Sequence, residues 1–279
     1  MPVSLLVQGH GANDPGAVAN GLYERDINKA VILAAKPLME YNGITVPTIF
    51  DMPDVYQQAV AVNKLAKEYE IGIAHCVHMN AGGGDGSETI HSIFYGVATE
   101  FAKILEEEFD KTGQNRHGTG FVTKKNSSGN ADYYGFIRDT DVPSVISEYA
   151  FLDSSDYIQA SKIFVQAEAI ARAHCRFHGI AYKSPSDEGG KTVQYGILLY
   201  SDDDYAPAKR LCEMYDFECA ILIRKPMPDG TRVPPQIIHS IETLFRVGGG
   251  PSGHKKEIPL SGDNWFSTVL EVGKHMKKL

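Results

Sequence analysis

Four side chains stand where chemistry could be done: His10, Glu24, His78 and Glu148. Each follows a short apolar run or opens a helical one, and in open parallel α/β sheets sites form just beyond the carboxyl ends of strands. His10 lies in QGHGANDPGA, His78 in HMNAGGGDGSE and Glu148 after SVIS, while Glu24 opens the first long helical segment. Two imidazoles and a carboxylate are the set with which a catalytic Zn²⁺ leaves a fourth position open for water. A second carboxylate alongside is suited to carry protons. Taken singly, a histidine near a strand end is more often a packing residue, and a glutamate in a first helical turn is favoured by the helix dipole alone. It is the convergence of the four that points to one cleft, with Gly9, Gly11, Gly82, Gly83 and Gly84 keeping its rim low.

The elements that must position these groups alternate. Apolar runs at Val3–Val7, Gly72–Val77 and Ser144–Ser147 are followed by segments of helical period at Asp26–Tyr41, Ser92–Phe109 and Asp153–Phe177, with a further helix over Asp54–Tyr69. This predicts an α/β fold, a twisted and mainly parallel sheet flanked by helices. After the last helix the segment YKSPSDEGGKTVQ, polar and carrying Pro185, Gly189 and Gly190, reads as a linker. The expected division is residues 1–178, a linker over 179–193, and a smaller C-terminal α/β domain over 194–279. In that domain strands are expected at Tyr195–Tyr200, Cys219–Arg224 and Leu244–Val247, and helices at Ala206–Met214 and Asp263–Lys277.

With 35 acidic against 27 basic residues, a net charge of -8 and no long basic block, the chain is not expected to bind nucleic acid. Four cysteines without CxxC spacing suggest neither a disulfide framework nor a thiolate zinc site. The opening MPVSLLVQGHG lacks a basic n-region, and its apolar stretch is too short for a signal-peptide core or a membrane span. Synthesis in the cytoplasm without a signal peptide, and no membrane insertion, are the expectations.

GHGANDPGA followed by Glu24, HMNA followed by Gly86 and Glu88, and PSVISEYAF followed by Asp156 resemble, in order, the three motif blocks of the type 3 N-acetylmuramoyl-L-alanine amidases. The resemblance covers about residues 3–178. It implies a zinc-dependent hydrolase, with one Zn²⁺ per chain held by His10, Glu24 and His78 and with Glu148 as the catalytic carboxylate. The implied reaction is cleavage of peptidoglycan between N-acetylmuramic acid and L-alanine, and so bacterial cell-wall degradation. The chain departs from the family at Val7 and Gln8, where an Asp-Pro pair is usual, at Ala150, where glycine is usual, and at His75 and Cys76, for which packing roles are expected.

The C-terminal part, VGGG followed by IPLSGDNWFSTVLEVGKHM, looks like the end of a clostridial cell-wall-binding repeat, with Asn264 and Trp265 departing from it. One such unit behind an amidase resembles the layout of bacteriophage endolysins, which cause cytolysis after release through a holin. The implied partners are peptidoglycan and a cell-wall ligand of a Gram-positive host, with a homo-oligomer through the C-terminal domain as another use of that domain. A non-catalytic wall-binding or structural protein with an inactive amidase fold is the alternative for the whole chain, opposed by the presence of all four site residues. Cys76 as a nucleophile fails because it sits in a strand-like run beside its would-be bases. Gly248, Gly250 and Gly253 match GxGxxG formally, but Pro251 stands among them and the strand-like KKEIPL follows, where a nucleotide site needs a helix. Asp202, Asp203 and Asp204 lack the ligand spacing of a calcium loop.

Overall fold

A computed structural model describes residues 1–11 and 13–184, and beyond them the backbone of six strands. The chain divides into two compact units, Met1–Ser184 and Pro185–Leu279.

In the first unit the chain runs β1 (Val3–Gln8), β2 (Val18–Ala19), β3 (Leu22–Tyr23), α1 (Glu24–Tyr41), β4 (Thr48–Ile49), α2 (Val55–Leu65), β5 (Ile71–Asn80), β6 (Ser87–His91), α3 (Gly96–Asp110), β7 (Arg116–Val122), α4 (Gly135–Arg138), β8 (Ser144–Phe151), α5 (Tyr157–Ala160) and α6 (Ile163–Phe177). Six strands form one sheet in the order β4-β1-β5-β8-β6-β7. The first four are parallel, β6 runs antiparallel to β8, and β7 is parallel to β6. The mainly parallel sheet expected from the sequence is present, with an edge pair that runs against it.

Alternation along the central strands sends residues to two covered faces. Leu6, Val77, Val145 and Tyr149 join α1, α3 and α6 in one core, and Leu5, Val7, Cys76, Ile90 and Ile146 join α2 and α4 in the other. The amphipathic stripe of α1, Ile27, Val31, Ile32, Ala35 and Met39, is fully buried, as the 3.6-residue period demands. Asp54 caps α2 by accepting from the Gln57 amide at 2.8 Å.

Two strands, β5 and β8, and one helical segment differ from expectation. β5 continues to Asn80 and β8 to Phe151, because their parallel pairing persists past His78 and Glu148; the polar residues that seemed to end the strands lie inside them. The segment expected to be one helix from Asp153 is two, α5 and α6, separated at Ser161 and Lys162. Residues 179–184 of the expected linker lie within the first unit. Ile180 and Tyr182 pack against its core, and the Lys183 amide donates to Asn42 Oδ1 at 2.7 Å.

In the second unit β9 (Val193–Leu199), β10 (Cys219–Ile223), β13 (Ile241–Val247) and β14 (Glu257–Pro259) form a parallel sheet ordered β10-β9-β13-β14, and β11 (Lys225–Pro226) pairs with β12 (Arg232–Val233). The helices expected at Ala206–Met214 and Asp263–Lys277, the glycines Gly248, Gly250 and Gly253, and Asp202–Asp204 lie outside the described residues.

Glu106 of α3 is wholly buried under the edge pair, accepting from Ser87 Oγ at 2.7 Å and Thr89 Oγ1 at 2.6 Å. Burial, which those two bonds only partly offset, pushes its pKa up to about 7 from the usual 4.5. A carboxyl whose folded pKa is raised favours folding while it is protonated, so its contribution is full below pH 4.5 and is lost as pH rises through 7. The loss is on the order of 3 kcal/mol at ~1.4 kcal/mol per pH unit. Glu106→Gln, which mimics the neutral acid, is expected to raise the urea midpoint of the first unit at pH 8 and leave it nearly unchanged at pH 4.5. An equal effect at both pH values would show that Glu106 is not the titrating group.

Candidate active site

The site assembles at the junction of β1, α1 and β5. Gly9 continues the ladder, its amide donating to the Val77 carbonyl at 2.9 Å, and the chain then turns away through His10. His10 has φ 58, a left-handed conformation that costs a non-glycine residue free energy and needs its surroundings to hold it. A reciprocal backbone pair between Gly11 and Asp14 closes this turn, and His10 Nδ1 meets Asp14 Oδ2 at 2.7 Å.

Glu24 is the first residue of α1 and only 3% exposed. Its Oε2 lies 3.2 Å from His10 Nε2 and accepts from the Ala17 amide at 2.9 Å. Its Oε1 meets His78 Nδ1 at 2.9 Å and accepts from the Met79 amide at 3.0 Å. One carboxylate thus stands between two imidazoles whose rings are 4.9 Å apart and nearly perpendicular. One ligand-capable atom from each of the three residues falls within 4.8 Å of the others. Two nitrogens and an oxygen converging this closely form a possible site for a divalent cation.

The electrostatics match the geometry. Burial alone would raise the pKa of Glu24, yet the hydrogen bonds from His10 and His78 hold it well below the usual carboxylate range. The bond to Glu24 outweighs burial at His10 and raises its pKa. Burial also opposes charge on His78, whose pKa nonetheless lies well above its ordinary value beside Cys76, Glu24 and Glu148.

Glu148 is the register partner of His78 on β8 and so projects from the same face of the sheet. Its Oε2 is buried with no hydrogen-bond partner, and burial pushes its pKa up to about 7. On its other side, on β6, the register partner is Glu88. An open cleft of about 180 Å³ is floored by His78, Ile146 and Glu148 and walled by His10 and Asp14, by Met52–Val55 and by Tyr134–Phe136. All four residues singled out in the sequence thus line or adjoin one cleft.

This architecture and these motifs have known counterparts. The family described as N-acetylmuramoyl-L-alanine amidase (Amidase_3) matches residues 5–177. The chain belongs to this amidase family. The N-acetylmuramoyl-L-alanine amidase CwlM of Bacillus licheniformis is 30% identical over 174 residues, which are 60% of this chain and 63% of CwlM. The endolysin of Bacillus phage SPP1 is 26% identical over 155 residues, 54% of this chain and 55% of the endolysin. The chain therefore spans less than two thirds of either relative. Among solved structures, the catalytic domain of CwlV, an N-acetylmuramoyl-L-alanine amidase from Bacillus (Paenibacillus) polymyxa, shares the fold with a TM-score of 0.55 at 22% identity, covering 65% of this chain and 100% of that one.

The positions where this amidase-family chain departs from the usual motifs have structural occupations. Val7 is core, and Gln8 is buried, donating to the Arg25 carbonyl at 3.1 Å and accepting from the Asp51 amide at 3.1 Å. Gln8 thereby ties α1 to the strand that leads into His10. His75 is fully buried, with Nε2 2.7 Å from Ser147 Oγ and Nδ1 3.2 Å from His174 Nε2, and burial lowers its pKa to about 3. Cys76 is a buried free cysteine. Sequence reasoning missed Asp14, which orients His10, and Tyr134, which walls the cleft; only the packing reveals either.

Gly16 has φ +66, and a Cβ added there would lie 2.5 Å from Glu24 Oε2 and 2.6 Å from His10 Cδ2. Both the backbone and the space require glycine. Gly16→Ala is expected to weaken any divalent-cation binding at this trio at least tenfold in equilibrium dialysis while the far-ultraviolet circular dichroism stays native, a loss in the range seen when the groups orienting a metal's ligands are disturbed. Unaltered affinity would show that the trio does not depend on this close approach.

Proposed function

We propose that the chain hydrolyses the amide between N-acetylmuramic acid and L-alanine in peptidoglycan, with Zn²⁺ held by His10, Glu24 and His78 and with Glu148 moving the proton. The observation that carries this reading is the buried, partnerless oxygen of Glu148 beside the His10–Glu24–His78 trio in a cleft. Family membership and likeness to named amidases support it. A buried carboxyl oxygen held without a partner beside the trio favours a working site over an inactive binding protein.

The donor set fits zinc, which is at home with imidazole and carboxylate ligands and a fourth position left open. When bound, zinc supplies Lewis acidity toward the scissile carbonyl and a lower pKa for water. The remaining work belongs to this chain. Asp14 accepts from His10 Nδ1 and so fixes its tautomer and leaves Nε2 turned inward. Glu148, with a pKa near 7, accepts the proton of the attacking water and then donates it to the departing L-alanine nitrogen. An amide nitrogen leaves only once protonated, so one carboxyl serves as base and then as acid.

The second unit is proposed as a cell-wall-binding module for a ligand of a Gram-positive wall. Likeness to the SPP1 endolysin supports a phage-type lytic role, and release to the wall through a holin is part of the same proposal. No helix among the described residues is long and apolar enough to cross a membrane.

Chelation is expected to abolish wall lysis and Zn²⁺ to restore it, and His78→Ala should remove bound metal, because three ligands leave no redundancy. Lysis by metal-stripped protein would refute the zinc assignment. Glu148→Gln should retain stoichiometric zinc by metal analysis yet lower turnover by roughly two to four orders of magnitude. Joint loss of zinc and activity would make Glu148 a ligand instead. A chain ending at Ser184 keeps Ile180 and Tyr182 in its core; it should fold, and should lose lysis of intact walls by ~10²-fold while still cleaving soluble fragments. Equal loss on both substrates would argue against a wall-binding role for the second unit.

A further inference from the structure

The cleft has a charged rim that the proposed reaction does not use. Across the sheet the order β1-β5-β8-β6-β7 places His10, His78, Glu148 and Glu88 in succession, and Lys124 follows the end of β7. Lys124 Nζ donates to the Tyr134 hydroxyl at 3.1 Å and sits 5.4 Å from the centre of the Tyr134 ring, which itself walls the cleft. Lys124 is exposed, and no carboxylate among the described residues lies within ion-pair distance of it. The bond to Tyr134, and then the charges of Glu88 and Glu148, hold its pKa above the ordinary lysine value.

The loop that carries both residues is built to hold them. Lys125 pairs with Asp132, the Tyr133 amide donates to the Lys124 carbonyl at 2.8 Å, and Asn126 and Ala131 pair inside the turn at 2.9 Å. Its base is clamped by Asp132, buried, which accepts from Ser92 Oγ at 2.7 Å and the Ile93 amide at 2.9 Å. A cation presented on a fixed loop recognises an anion with less ordering cost than one on a free chain.

At the end of the cleft away from the two histidines, Glu148 lies on the floor and Glu88 is its register partner. A substrate carboxylate brought to that end would be repelled unless a cation met its charge. Direction follows from the proposed chemistry, on which this inference rests. Glu148 protonates the leaving nitrogen, and Glu148 lies between the trio and the β6–β7 side, so the L-alanine half of the substrate extends toward Lys124. We propose that Lys124, seated on Tyr134, is a specificity-determining residue that binds a substrate carboxylate on the L-alanine side of the scissile amide. That carboxylate belongs to L-alanine itself where the fragment ends there, or to the next residue of the stem where the peptide continues.

The two sources are separable with four probes: N-acetylmuramoyl-L-alanine and its C-terminal amide, and N-acetylmuramoyl-L-alanyl-D-glutamate and its amidated counterpart. Affinities are measured by calorimetry on the full-length, zinc-loaded Glu148→Gln protein, so that binding is read without turnover. One acid should bind roughly three- to tenfold more tightly than its amide, the range for an exposed charge pair with a charge-assisted hydrogen bond, and the preference should shrink as salt is raised. Adding Lys124→Met should erase the acid-over-amide preference, and Lys124→Arg should restore it. A general disturbance of the fold would instead weaken acid and amide alike. Absence of preference in the parent, or its survival in Lys124→Met, would overturn the proposal. If the preference holds but the wild-type chain releases no L-alanine amine from these probes, the amidase reading fails and the carboxylate site stands.

Discussion

The site depends on one buried carboxylate. Glu24 is 3% exposed, and an isolated charge so placed would cost far more than a domain's net stability allows. His10 and His78 and two backbone amides share its oxygens, and that arrangement dictates much of the surrounding structure. Helix α1 must begin at residue 24, the loop before it must bring Ala17 within reach, and His10 must take a left-handed backbone to face inward. Asn28, one turn on, donates to the Gly9 carbonyl at 2.9 Å and so fastens α1 to the strand end that delivers His10.

The sheet supplies the other half of the geometry. Parallel register puts His78 and Glu148 side by side, and antiparallel register adds Glu88 on the far side. A one-residue slip in either pairing would send Glu148 to the opposite face, among α3 and α6. Both faces are covered by apolar cores, so slippage would bury charge and expose hydrocarbon, and the same packing that stabilises the fold sets the site. The floor of the cleft is thus as rigid as the centre of the sheet, whereas its walls come from loops and the one-turn helix α4.

How much of this could be read in the residues follows from the range of each interaction. His10, His78 and Glu148 stand out in the sequence because each follows an apolar run, and Glu24 because it opens a long helical segment, all local signals. The long helices were legible for the same reason, α1 above all. The edge pair β6 and β7 was not, since SETIH and RHGTGFV carry weak alternation and several glycines or polar residues; their strand character comes from pairing with β8 and from Glu106 beneath them. Strand ends expected at Val77 and Ser147 fall short, because polarity suggests termination where the register continues. The role of Gln8, the support that Asp14 gives His10 and the seat of Lys124 on Tyr134 depend on contacts across loops that no local period announces.

On the proposed function, this cleft cuts an amide and no sugar linkage. Mass spectrometry of the soluble products released from purified Gram-positive walls by the zinc-loaded chain tests it directly. The account predicts stem peptides with a new free amino group on L-alanine and glycan strands without new reducing ends. New reducing sugars in place of L-alanine amines would contradict it.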